Sequence, residues 1–86
     1  MPEEFPRQVI REGRFERELR ALISDAREAD AYIEAAEFVL ARDPKAGEQI
    51  APNSRVWGLP MAPASDKQVA LYYTFDDETV TLLSIR

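Results

Sequence analysis

A chain of 86 residues with a net charge of −5 and neither cysteine nor histidine excludes several kinds of chemistry at the outset. Disulfide staples and thiolate zinc sites need Cys, and Ser-His-Asp or Cys-His catalysis needs His, so none of these is available. The acidic balance also argues against tight electrostatic binding of nucleic acid by the free chain, which takes clustered Lys and Arg.

A chain this short buries roughly 60–65% of its unfolded surface, so it must rest on one apolar core, with help from a partner or a second copy. The acidic N-terminus lacks the apolar segment of a signal peptide, and no apolar run approaches the ~18 residues that cross a bilayer. These features predict a cytoplasmic, bacterial-style protein with no membrane association and a single domain over residues 1–86.

Residues 1–4 are polar and are expected to fray. Residues 5–10 contain Val9 and Ile10 and read as a short strand at a sheet edge, because Pro6 lacks an N–H. The competing reading extends the following helix back to Arg7. Gly13 marks a break. Residues 14–24 read as a first helix, with Phe15, Leu19, Leu22 and Ile23 at helical spacing and Glu16 with Arg20 as a wet-side pair. Asp25 followed by Glu28 resembles a capping box. A second helix is predicted over 26–42, burying Ala29, Ile33, Ala36, Val39 and Leu40 and ending at Asp43-Pro44. Residues 45–53 read as a loop.

Residues 54–61 read as a strand, weakened by Gly58 and Pro60, which point to a bulge or an edge. Residues 63–67 read as a polar turn. Val69, Leu71, Tyr73 and Phe75 alternate with Ala70, Tyr72 and Thr74, which is strong strand patterning. Asp76, Asp77 and Glu78 form the next turn, and residues 79–85 the last strand, with apolar residues on both faces near its end. The fold class expected is α+β: a helical hairpin on one face of a three- to four-stranded antiparallel sheet.

Three stretches carry a family resemblance: Leu40-Ala41-Arg42-Asp43-Pro44 followed by Gly47; Leu71-Tyr72-Tyr73 leading into Asp77; and Val80-Thr81-Leu82-Leu83-Ser84-Ile85-Arg86. In this order of elements the chain resembles the RelE/ParE superfamily of bacterial toxins, over roughly residues 15 to 86. The resemblance implies one RelE/ParE-like domain and a type II toxin–antitoxin setting, with a small antitoxin as partner. It further implies one of two targets: mRNA cut on the ribosome in the RelE-like branch, or DNA gyrase in the ParE-like branch. The cutting branch is similar in using Lys and Arg on its strands, often with a Tyr in a C-terminal helix. Without a metal, such cations stabilise phosphate charge.

This sequence departs from that set. The run Val56-Trp57-Gly58-Leu59 has no Lys, Ala70 stands where an Arg is often found, and Arg86 is the last residue, where the C-terminal helix would follow. The remaining nuclease candidates are Arg55, Lys67, Tyr72 and Arg86, against the plainer reading of Arg55, Lys67 and Arg86 as ordinary charges near strand ends. One of Tyr72 and Tyr73 is expected in the core and the other on the open face. Trp57, Leu59 and Met61 are the partner-binding candidates, with core packing as the alternative.

Arg7, Arg11, Arg14, Arg17 and Arg20 recur every three or four residues, but the interleaved Glu12, Glu16 and Glu18 predict a solvated, ion-paired face. No metal site is expected at Asp76-Asp77-Glu78, since hard cations need more convergent oxygens. No cofactor is implied. The expectation is a toxin-family protein that acts mainly by binding an antitoxin, itself, or both. The alternatives are a metal-independent, ribosome-dependent endoribonuclease and a ParE-like gyrase inhibitor.

Overall fold

The computed structural model describes residues 6–86. The readings for residues 1–5, including the start of the first strand at Phe5, lie outside the described residues. The elements run β1 (Gln8–Arg11), α1 (Gly13–Leu22), α2 (Ala26–Arg42), a 3₁₀ turn (Pro44–Ala46), β2 (Glu48–Gln49), β3 (Trp57–Ala64), β4 (Lys67–Phe75) and β5 (Thr79–Ile85). They form a five-stranded sheet in the order β1-β5-β4-β3-β2. The α+β class and the helical hairpin are as expected, but the sheet has more strands and is mixed. β1 runs parallel to β5, while the other pairings are antiparallel.

α2 begins and ends where its sequence punctuation lies. Asp25 stands in extended conformation, and its carboxylate accepts from the Glu28 N–H at 2.9 Å. This satisfies one of the free N–H groups of the first turn. Asp25→Ala should therefore cost about 1 kcal/mol, read as a lower midpoint in chemical denaturation. An unchanged midpoint would show that solvent replaces the cap.

The core lies between the helices and the β1–β5–β4 part of the sheet. Phe15 and Leu19 of α1, Ile33 and Leu40 of α2, and Leu71, Tyr73, Val80, Leu82 and Ile85 are fully buried. Burying a side chain of this size is worth about 1.5–3 kcal/mol, so this cluster is the main source of stability. α1 packs over β5, and α2 over β1 and β5. Val39 departs from its expected place on the buried face of α2: it is 43% exposed.

Two irregularities shape the sheet. In β5 the register moves from Tyr73↔Leu82 to Tyr72↔Ser84, leaving Leu83 as the extra residue of a bulge. The apolar run at the end of β5 thus has a bulge behind it; β1 flanks the strand only as far as Leu82, and β4 continues along its other edge to Ile85. In β3 the pairing shifts between Met61 and Ala64, and the strand extends past Pro63. The turn expected over 63–67 shrinks to Ser65 and Asp66, with φ of 51° and 61°. Two successive left-handed residues match the right-handed twist of the flanking strands.

The Arg series is ion-paired only in part: Arg11 of β1 and Arg14 of α1 meet carboxylates, whereas Arg7 donates to the Asp76 carbonyl. Arg11 sends its guanidinium to both Glu37 oxygens, at 2.9 Å each, and on to Asp30 and Glu16. Glu16 therefore meets Arg11 rather than Arg20, which donates instead to the Ser24 carbonyl.

Candidate functional site

The open face of the sheet holds a groove of about 840 Å³. Its floor is the outward face of β4, where Gln68, Ala70 and Tyr72 project on the same side, two residues apart. Gly58 and Pro60 of β3 continue that floor beside Tyr72 and Ala70; the 46–50 segment, including β2, forms the wall beyond β3, and Arg86 at the end of β5 borders the opposite side. This wall falls within residues 45–53, which read as a loop in the sequence, yet Glu48–Gln49 forms a strand. A two-residue strand has no alternation to detect, and Ile50, 56% exposed at the lip, had no pattern to mark it.

The wall is held from beneath by Tyr73. Its hydroxyl donates to the Pro44 carbonyl at 2.6 Å and accepts from the Gly47 N–H at 3.1 Å. Burial pushes the Tyr73 phenol above its ordinary range, with the Gly47 N–H acting against this and Asp43 adding to it. Gly47 is required by close approach. A Cβ there would stand 2.4 Å from the Gly58 carbonyl oxygen and 2.7 Å from the Tyr73 hydroxyl.

Of the four nuclease candidates, Tyr72 and Arg86 line this groove. Tyr72 is the half-buried tyrosine of the open face, and Tyr73 the core one. Arg86 exchanges both backbone hydrogen bonds with Ala70, at 3.1 and 3.2 Å. A cation from the end of β5 therefore stands beside the position where Ala70 offers none. Arg86 also helps hold the Glu18 carboxyl below its usual range, behind the larger effects of the Ser84 hydroxyl and Arg14.

Arg55 and Lys67 are not brought to that place. Arg55 borders a second depression of about 410 Å³ with Trp57, Thr74 and Asp76. Lys67 pairs with Ala64 at the opposite end of the β3–β4 ladder. Strand rise of about 3.3 Å per residue puts these two cations more than ~20 Å apart. The lining of the larger groove contains one acid, Glu48, and one base, Arg86, so its charge balances.

Trp57, Leu59 and Met61 pair in register with Tyr73, Leu71 and Val69. They lie on the helix-facing side of β3, half-buried and packed against the edge of the core. Trp57 meets Phe75 with ring centroids 5.5 Å apart. Among the described residues no cluster of three or more Asp or Glu has metal-binding form. The Asp76 carboxylate instead accepts from the Glu78 and Thr79 N–H groups, at 2.8 Å each, closing the β4–β5 turn. Those bonds hold its carboxyl below the ordinary range.

Compared with solved structures, the chain superposes on a chain of the toxin–antitoxin complex RelBE2 from Mycobacterium tuberculosis. The TM-score is 0.70 with 24% identity, over 100% of this chain and 95% of that one. This is a RelE/ParE-like fold. No protein-family profile and no curated protein matches the sequence. Within the RelE/ParE-like fold the mixed sheet, the two helices over β1 and β5, and the uncovered opposite sheet face account for where the groove lies. No helix among the described residues is long and apolar enough to cross a membrane.

Proposed function

We propose that this chain is the toxin-type component of a type II toxin–antitoxin module, acting mainly by binding protein, with a small antitoxin as partner. The observation that carries the reading is the superposition along the whole chain on a chain of a toxin–antitoxin complex. The balanced charge of the groove supports binding over cutting. Stabilising a phosphate transition state takes several positioned cations, and Arg86 is the sole basic residue of its lining. The half-exposed row Trp57, Leu59 and Met61 supplies the apolar anchors for the antitoxin, since such aromatic and sulfur side chains dominate binding energy at interfaces. Residues 1–86 act as one RelE/ParE-like domain in the bacterial cytoplasm.

Expression in a bacterial host tests the reading. Growth should slow, and co-expression of the small reading frame adjoining the gene should restore it. Met61→Gln should weaken that rescue. Normal growth on expression alone would sink the proposal.

One observation favours a second reading, an endoribonuclease: Tyr72 and Arg86 share the groove. Sequencing of mRNA ends decides it. New cuts that vanish with Arg86→Ala would support the nuclease, and an intact transcript pool during arrest would reject it.

A further inference from the structure

α2 has a second apolar face that the core does not use. Ala31, Ala35 and Val39 follow one another at four-residue spacing on its solvent side, with Phe38 alongside. Phe38 is 60% exposed and Val39 43%. The side chains that α2 buries (Ala29, Ile33, Ala36, Leu40 and Ala41) fall outside this stripe. Two apolar stripes on one helix mean two packing surfaces, and the sheet satisfies only one.

The exposed stripe is polar at its two ends, with opposite signs. Glu28 lies three residues before Ala31, in the first turn of α2. Arg42 lies in the last turn, with its guanidinium 3.6 Å from the Phe38 ring centroid and bonded to the Phe38 carbonyl. The pattern is therefore complementary to itself when reversed. A two-fold axis at Ala35 sets Ala35 against Ala35, the small Ala31 against Val39, and Glu28 against Arg42. A parallel pairing would set like charge against like. Rows of residues four apart are the ridges that interlock when two helices cross, and alanine at the crossing lets them approach closely. An isologous contact of this kind uses one patch on both copies.

We propose that two copies of this chain associate through α2, packed antiparallel about a two-fold axis at Ala35. The contact lies on the helix layer, away from the groove on the opposite sheet face, so it stands independently of the toxin reading. Self-association and growth arrest are measured separately.

The chain contains no cysteine, so one introduced thiol reports the geometry cleanly. Ala35→Cys should form a disulfide-linked dimer under mild oxidation, because the axis brings the two Cβ atoms together. Ala21→Cys, exposed on α1, is the control and should link far more slowly. In sedimentation equilibrium the unmodified chain should show a monomer–dimer equilibrium, and Phe38→Ala should weaken it roughly tenfold or more. Glu28→Arg and Arg42→Glu should each weaken the dimer, and the double exchange should restore it. General damage to the fold would not be repaired by a second charge reversal, and circular dichroism checks that each variant is folded. A chain that stays monomeric at every concentration overturns the proposal, even if some other protein covers the stripe. So does a dimer in which Ala35→Cys links no faster than Ala21→Cys, or in which the double exchange restores nothing.

Discussion

Tyr73→Phe should lower stability by roughly 1–3 kcal/mol, although it removes one oxygen and no apolar volume. The reason is what that oxygen joins. The Tyr73 ring is fully buried. Its hydroxyl serves the Pro44 carbonyl and the Gly47 N–H, in the turn between α2 and β2. Removing it leaves a donor and an acceptor without their partner, and the penalty is their desolvation rather than the loss of one average hydrogen bond. Gly47→Ala attacks the same contact from the other side. Its Cβ would overlap the Gly58 carbonyl and the Tyr73 hydroxyl, so either the wall or β3 must move, at about 1–3 kcal/mol. Because both changes act on one contact, the double variant should lose less than the sum. Full additivity would mean that Tyr73 and Gly47 act separately.

The same residue gives a pH signature. The folded Tyr73 phenol titrates above its ordinary value of 10.0, chiefly through burial. A raised folded value means that the unfolded chain gives up the proton first. The stability from this group is thus complete below about pH 10 and is lost as pH rises through the folded value. Wild type should weaken over that alkaline window, and Tyr73→Phe should weaken less steeply. Tyr32 is shifted in the same direction by burial, so the difference between the two proteins, not the wild-type curve alone, isolates Tyr73. Equal slopes would mean that Tyr73 ionises as freely folded as unfolded.

How much of this was legible in the sequence depends on the range of the cause. The ends of α2 were readable because Asp25 and Asp43-Pro44 act on their own neighbours. β4 and β5 were readable from alternation, and so was the division of labour between Tyr72 and Tyr73. Pairing was not. Nothing local says that β1 lies parallel to β5, or that Arg55 and Lys67 end at opposite ends of the β3–β4 ladder. Three cations near strand ends converge or scatter according to register, and register is decided by distant contacts. Val39 misled for a related reason. It follows the buried Ala36 by three residues and is apolar, but it stands in line with Ala31 and Ala35 on the side that α2 turns to solvent. Ala70 shows in the sequence that a cation is missing, but only the β4–β5 pairing sets Arg86 across the ladder from it.

Arg11→Ala should cost about 2 kcal/mol, between the small worth of an exposed ion pair and the larger loss on breaking a buried one. Arg11 and Glu37 are both 22% exposed, and the contact is bidentate. The Glu37 hydrogen bond is the largest cause raising the guanidinium above its ordinary value, against the desolvation that lowers it. Arg11 also reaches Asp30 and Glu16, so one side chain ties the edge strand β1 to both helices. Alanine would leave three carboxylates around an empty centre, two of them on α2. Much of the loss should then be repulsion and an unpaired Glu37, not a missing attraction. Glu37→Gln added to Arg11→Ala should accordingly recover part of the stability, although it deletes another charge. Arg11→Lys should recover little, because an ammonium cannot span both oxygens while reaching the other two acids. Amide exchange in β1 should accelerate in Arg11→Ala more than in β4, which has a partner strand on each side. A lysine variant as stable as wild type would show that charge alone suffices there, and that the fork of the guanidinium contributes nothing to holding the strand.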